Sequence, residues 1–244
     1  MTTNSVSSSQ FSRRRFLGAA AVGAASLSVS ACTSIPRYAR FEDQPLAPTQ
    51  DFNPGLASYQ MMYRAVIDEG YEIPAVPIEE VDERYYRQLV QDPTGERPGT
   101  VVVDTANHFL YLVREGRQAM RYGVGLGRAG FEWSGRAVIQ WKRKWPTWTP
   151  PAEMIARDPK LEIYSADNGG MPPGLDNPLG ARALYIFQGG EDTLYRVHGS
   201  PEWNSIGKSV SSGCVRLMNQ DIIDLYDRVQ NGSPILVTSG VAIS

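Results

Sequence analysis

The apolar positions change their period along the chain. Over residues 56–69, Tyr59, Met62, Tyr63 and Val66 recur at helical spacing and Gly70 closes the run, which predicts a helix. Residues 77–90, PIEEVDERYYRQLV, put proline and acids in a first turn. That predicts a second short helix, because the first turn has no use for the proline N–H and its positive end favours acids. From residue 98 the pattern becomes short runs rich in β-branched and aromatic residues, at 99–104, 109–113, 121–127 and 137–142, then 182–188, 193–199 and 234–239. Polar or glycine turns separate them, as expected for strands. One helix interrupts at 219–232, with Asn219 as its expected cap and Ile222, Ile223, Tyr226 and Val229 as its buried stripe.

These runs predict a mostly β domain over 96–240, a sandwich or barrel with one or two short helices, behind a small helical extension at 55–95. The longest irregular stretch runs from Trp145 to Asn177 and is rich in Pro, Trp and Gly. Such a segment within a compact domain is either unfolded or a functional lid. Its two tryptophans and Tyr164 favour packing, and it could form one wall of a groove.

The first 31 residues have a different character. They hold Arg13, Arg14 and Arg15 and no acid, and then a short Ala/Gly/Ser-rich apolar run. A basic start, a weakly apolar run and small residues predict an export signal over 1–31, and the run is too short and too small in its side chains to span a membrane stably. The SRRRFL segment resembles the twin-arginine export motif. VSAC, residues 29–32, resembles the bacterial lipobox, which implies that Cys32 is lipid-modified and anchors the chain to a membrane; Thr33 after it leans the destination to an outer membrane. Ordinary cleavage after Ala31 is the other reading. Residues 32–54, with several prolines, read as a linker.

Charge narrows the partners. The chain holds 24 basic and 26 acidic residues, and without 1–31 the balance becomes 21 against 26. A net negative domain does not suit nucleic acid. Two histidines and two cysteines give little from which to build a metal site, and none is expected. There is no internal repeat.

The second cysteine, Cys214, is where chemistry is expected. Exported proteins usually hold cysteines in pairs, and Cys32 at the head of a tether is a poor partner for it. A thiol is mostly protonated at neutral pH and needs a base to act as a nucleophile. His198, ending the run LYRVHG, opens a loop that returns at Cys214. His108 follows DTAN and reads as a turn histidine. Gly213 permits a tight bend at which neighbouring N–H groups converge on an oxyanion; Ser211 and Ser212 add small donors, and Arg216 could hold a substrate carboxylate or pair with an internal acid. A lone cysteine can also be a small buried hydrophobe.

The stretch HGSPEWNSIGKSVSSGCVRLMNQDI, residues 198–222, resembles the signature of the L,D-transpeptidase (YkuD-type) family: His198-Gly199, Ser205-Ile206-Gly207 and Ser211-Ser212-Gly213-Cys214-Val215-Arg216. The likeness extends over about 98–240. It departs where many relatives carry His and this chain has Ser212, and where Thr-Pro-x-Gly is replaced by Trp133-Ser134-Gly135. The resemblance implies a periplasmic enzyme that needs no cofactor and acts on peptidoglycan stem peptides. Cys214 would attack the bond before a terminal D-alanine, with His198 as base, Gly199 or Ser200 orienting it, Ser212 and Gly213 at the oxyanion hole, and Ser211 and Arg216 toward substrate. An amine acceptor gives a 3→3 cross-link or attachment of a lipoprotein; water gives an amidase or carboxypeptidase; a non-catalytic wall-binding lipoprotein is a further alternative.

Overall fold

The structure is a computed structural model that describes residues 55–127, 133–211 and 213–239, all within one compact unit, 47–244. The expected export signal, the lipidation of Cys32, the linker 32–54 and Ser212 lie outside the described residues.

The first predicted helix is cut short. Helix α1 is Leu56–Met62, and the chain then forms a hairpin of β1, Val66–Asp68, and β2, Tyr71–Ile73. Glu69 and Gly70 join the strands with φ of 50° and 88°, the doubly positive turn whose twist matches a two-residue hairpin. The second predicted helix does not form. Its residues form two single 3-10 turns, Ile78–Glu80 and Glu83–Tyr85, and then strand β3, Gln88–Gln91. The extension is therefore not helical as expected; it contributes a strand to the main sheet.

That sheet takes in β4, Val101–Asp104; β5, Phe109–Arg114; β6, Gln118–Gly123; β8, Gly135–Lys144; β9, Arg182–Gln188; β10, Glu191–Ser200; β12, Val215–Met218; and β13, Ser233–Val237. Its order is β12-β10-β9-β8-β13-β4-β5-β6-β3. The short strands β7, Leu126–Gly127, and β11, Ser209–Ser211, pair with each other. Just beyond β6, Gly125 exchanges two 2.9 Å backbone hydrogen bonds with Arg216 of β12, so the far edge of the sheet folds back onto the near one in barrel fashion.

One face of this curved sheet buries Val101, Leu110, Tyr122, Ile139, Leu184, Val197, Val215 and Leu217. Helix α3, Asn219–Arg228, lays Ile222 and Leu225 on it. Ile222 and Val229 are buried as the stripe predicted, while Leu225 replaces Ile223 at its centre. Asn219 does not cap the helix; its Oδ1 accepts from the Ala181 N–H at 3.0 Å instead.

The segment 145–181 is packed. It holds α2, Ala152–Arg157, and 3-10 turns at Pro159–Tyr164 and Ala166–Asn168. Buried Asn177 gathers it by donating from Nδ2 to the carbonyls of Pro146, Met171 and Pro172. Its two roots are held by the hairpin: Asp68 accepts from Trp145 Nε1 at 2.8 Å and from both terminal nitrogens of Arg182 at 2.7 and 2.8 Å. Among the described residues no helix is long and apolar enough to cross a membrane.

Candidate active site

Strand register brings His198 and Cys214 together. β10 and β12 run parallel, with Val197 opposite Val215 and His198 opposite Arg216. Side chains alternate along a strand, so His198 and Arg216 project from the sheet face opposite the Val197–Val215 core, and Cys214 stands just ahead of β12. The backbone N–H of Arg196, two residues before His198, donates to the Cys214 sulfur. The loop from β10 to β12 returns beside β7, where Gly127 touches Gly213. A Cβ at Gly127 would lie 2.8 Å from the Gly213 Cα and nitrogen. Gly213 itself has a φ of 129°, a conformation that side-chain-bearing residues avoid. Thus the bend before Cys214 depends on glycine at one position and is shaped by glycine at another.

His198 is 4% exposed. Its Nδ1 lies 2.6 Å from the carbonyl oxygen of Gly199. A carbonyl can only accept, so Nδ1 carries the proton and Nε2 is left with a lone pair. Burial pushes the imidazole pKa down to about 4, partly opposed by that hydrogen bond and reinforced by the Arg216 and Arg196 charges. Burial also raises the Cys214 thiol, against the Arg196 N–H and the same two arginines, which lower it. The resting pair is therefore neutral thiol and neutral imidazole. Such a pair can act by passing the thiol proton to Nε2 as sulfur attacks, without standing as an ion pair beforehand.

The loop between the pair is braced. Arg216 Nη1 pairs with Glu202 Oε2 at 2.5 Å, so of its two expected roles the structure displays the internal ion pair. Ser200 Oγ accepts from the Glu202 N–H at 3.1 Å, and Ser205 Oγ donates to the Glu202 carbonyl at 2.7 Å. Gly199 is walled in, since a Cβ there would lie 2.4 Å from Asn219 Oδ1 and 2.8 Å from Ile222 Cγ2. Ser211 belongs to β11, with its backbone opposite Gly127. His108 sits in the turn before β5 at φ 59°, and its Nε2 is 3.0 Å from Ser209 Oγ.

Three features here were not visible in the sequence. Arg196 is clamped by Asp192 at 2.7 and 2.8 Å and lies 4.4 Å over the Tyr185 ring. Tyr195 covers Gly213, with Cε1 3.1 Å from where a Cβ would be. Trp133 stacks on Tyr195 at 6.2 Å. Among the described residues no cluster of His, Cys, Asp and Glu could hold a metal.

Residues 98–237 match the YkuD family, the L,D-transpeptidase catalytic domain. A probable L,D-transpeptidase of Escherichia coli, ErfK/SrfK, is 32% identical over 59% of this chain and 45% of its own length. Another from that organism, YbiS, is 34% identical over 55% of this chain and 43% of its own. The chain thus spans just under half the length of these curated relatives. Among solved structures, a Brucella melitensis protein described as a probable carnitine operon oxidoreductase is 44% identical, with 68% of this chain and 98% of that one covered and a TM-score of 0.45.

Proposed function

Because this chain belongs to the L,D-transpeptidase catalytic domain family, we propose that it cleaves the bond between the third residue and the terminal D-alanine of a peptidoglycan tetrapeptide stem and passes the acyl group to an amine. The observation that carries this reading is a main-chain-oriented imidazole two residues along β10 from the N–H that meets the Cys214 sulfur.

In the first half-reaction Cys214 sulfur attacks the scissile carbonyl while its proton passes to His198 Nε2. The carbonyl oxygen becomes an oxyanion, held by N–H groups at Gly213 and Cys214. The intermediate collapses by breaking the C–N bond, and His198 returns the proton to the departing D-alanine amine. In the second, an acceptor amine attacks the thioester and loses a proton to His198 Nε2. The C–S bond then breaks, and the proton returns to sulfur. With its pKa lowered, the imidazole is unprotonated at neutral pH and so is free to take a proton in both halves. The acceptor is a second stem, giving a 3→3 link, or the lysine of a lipoprotein.

The sequence signals at residues 1–32 fit this reading. Export, with lipidation of Cys32, would keep the thiol outside the cytoplasmic membrane and within reach of the wall.

The test is to incubate the full chain with disaccharide-tetrapeptide and weigh the products. A dimer that has lost one D-alanine, absent with Cys214→Ala, supports the proposal. Tripeptide alone makes water the acceptor, and unchanged substrate with retained wall binding makes the protein a binding module.

A further inference from the structure

A cleft of about 290 Å³ opens at the end of β10, two residues past His198, bounded by Pro74, Ala75 and Val76 of the extension, Leu175 and Asp176 of the long segment, and Ser200 and Trp203. It is near the small end of the range of roughly 300–1,000 Å³ for ligand pockets, enough for one side chain with its flanking peptide groups. Residues 74–76 lie outside the segment that matches the family, 98–237. Its extension wall is firmly fixed. Gln220 Nε2 donates to the carbonyls of Arg64 and Pro74 at 3.2 and 3.0 Å, and Tyr71 stacks on Trp145 at 3.9 Å.

The order of residues along the strands says which part of the reaction this cleft serves. Along the strands His198 stands beside Arg216 and Ser200 beside Met218, while Cys214, just ahead of β12, accepts from the Arg196 N–H. The cleft begins at the Ser200 row, so along β10 the order is Arg196 with the sulfur, then the imidazole, then the cleft. In acyl transfer the group that His198 protonates on leaving is the amine, and by microscopic reversibility the amine it later deprotonates arrives at the same place. The acyl part stays on the Cys214 side. The cleft beyond His198 therefore belongs to the amine.

We infer that this cleft is the acceptor subsite, and that residues 74–76 of the extension set which amine-bearing peptides it admits. This rests on the transpeptidase reading above. The released D-alanine is small and needs only the space next to His198; an acceptor carries a longer chain that must continue past Ser200. The walls are mostly apolar, and Asp176 at the exposed rim supplies the negative charge that draws a cationic amine toward the site. The occupant is accordingly a stem peptide that presents an aliphatic primary amine, with its methylenes on Val76, Leu175 and Trp203.

The test fills the cleft from the extension side. Ala75 is exposed, so Ala75→Trp adds bulk where no core is disturbed, and an unchanged Tm confirms the fold. With disaccharide-tetrapeptide, the expected result is a loss of dimer of about tenfold or more while D-alanine release stays within about twofold, the surplus appearing as tripeptide. Asp176→Asn should raise the KM for acceptor severalfold and leave D-alanine release alone. Equal dimer formation by wild type and Ala75→Trp overturns the inference and leaves the transpeptidase reading standing. An equal fall in D-alanine release and dimer overturns it too, since the cleft would then hold the donor. A second arm keeps the two readings apart. Stem tripeptide ending in diaminopimelate is titrated into Cys214→Ala with and without Ala75→Trp. Binding abolished by Ala75→Trp supports the subsite even if wild type proves unable to release D-alanine; binding that is unaffected, or absent from both, overturns it.

Discussion

His198 is oriented by the residue that follows it: Nδ1 donates to the Gly199 carbonyl at 2.6 Å. The orienting group is main chain and uncharged, so it fixes the tautomer without the stabilisation that a carboxylate would give to an imidazolium. Burial outweighs this hydrogen bond and, with the Arg216 and Arg196 charges, leaves the imidazole near pKa 4. The acid limb of activity should follow. D-alanine release measured from pH 4 to 8 is expected to stay near its maximum down to about pH 5 and to fall only as the pH approaches 4. A midpoint near the ordinary 6.5 would mean that the working base is solvated, or that the reactive form is a preformed ion pair.

Gly127 and Gly213 meet backbone to backbone, and that contact sets the bend in front of the nucleophile. Ala at 127 would bring a methyl to 2.8 Å from the Gly213 backbone, and a backbone atom cannot swing aside as a side-chain end can. Overpacking of this kind costs about 1–3 kcal/mol. The larger effect should be on chemistry, because the displaced segment carries the N–H groups proposed for the oxyanion. Gly127→Ala is expected to lower kcat by about a hundredfold with little change in KM. A kcat within twofold of wild type would remove the Gly213 amide from the mechanism.

How much of this was legible depends on the kind of signal. The seven strand runs from residue 99 onward have counterparts in the sheet, because alternation and β-branched residues are local properties; 182–188 matches β9 residue for residue. The hairpin at 66–73 was missed because Val66 completes a helical period with Tyr59 and Tyr63. Its signal was the pair Glu69-Gly70 between VID and YEI, and a two-residue turn ending in glycine outranks one apolar match. Strand β3 was read as helix because four residues, QLVQ, are too few to distinguish the two periods, and it is pairing with Gln118–Arg121 of β6 that decides them. At the candidate site, residue type and glycine neighbours make His198 and Cys214 candidates and leave a small buried cysteine as the other reading; it is the family resemblance that singles them out. Arg196, Tyr195 and Gly127 were not found, since their roles come from register between strands distant in sequence, which no local pattern encodes. Asn219 was misread for the same reason: its side chain serves Ala181, 38 positions away.

Asp68 links the two roots of the long segment, accepting from Trp145 and from both arms of Arg182. The Arg182 side chain is 3% exposed and that of Asp68 18%, so removing the acid strands a buried guanidinium. Truncating one partner of such a pair costs about 3–5 kcal/mol. Asp68→Ala should lose about that much in urea unfolding, and Asp68→Asn less, since its remaining oxygen still accepts. Because the hairpin also fixes the wall of the cleft, dimer formation should suffer more than D-alanine release. A loss below about 1 kcal/mol, the level of a surface pair, would show that the hairpin does not hold the segment.

Asp221 is fully buried between α3 and the extension, where Tyr63 Oη donates to Oδ2 at 3.1 Å and Arg87 Nη1 stands 3.7 Å from Oδ1. Burial raises its pKa from 3.8 to about 7, against the Arg87 charge and the Tyr63 hydrogen bond, which lower it. A carboxyl raised in the folded state contributes stability that is complete below its unfolded pKa and is lost as pH rises through the folded one. His198, lowered from 6.5 to about 4, works in the opposite direction over much of the same range, so the wild-type curve alone does not separate them. Comparison with Asp221→Asn does. Asn keeps an acceptor for Tyr63 and cannot ionise, and Arg87 retains Asp224 at 3.2 Å. The Tm of Asp221→Asn minus that of wild type should therefore be smallest near pH 4, climb steadily to about pH 7 and level off above it. A difference that stays flat from pH 4 to 8 would mean that Asp221 keeps its ordinary pKa on folding, with the Arg87 charge and the Tyr63 hydrogen bond offsetting burial.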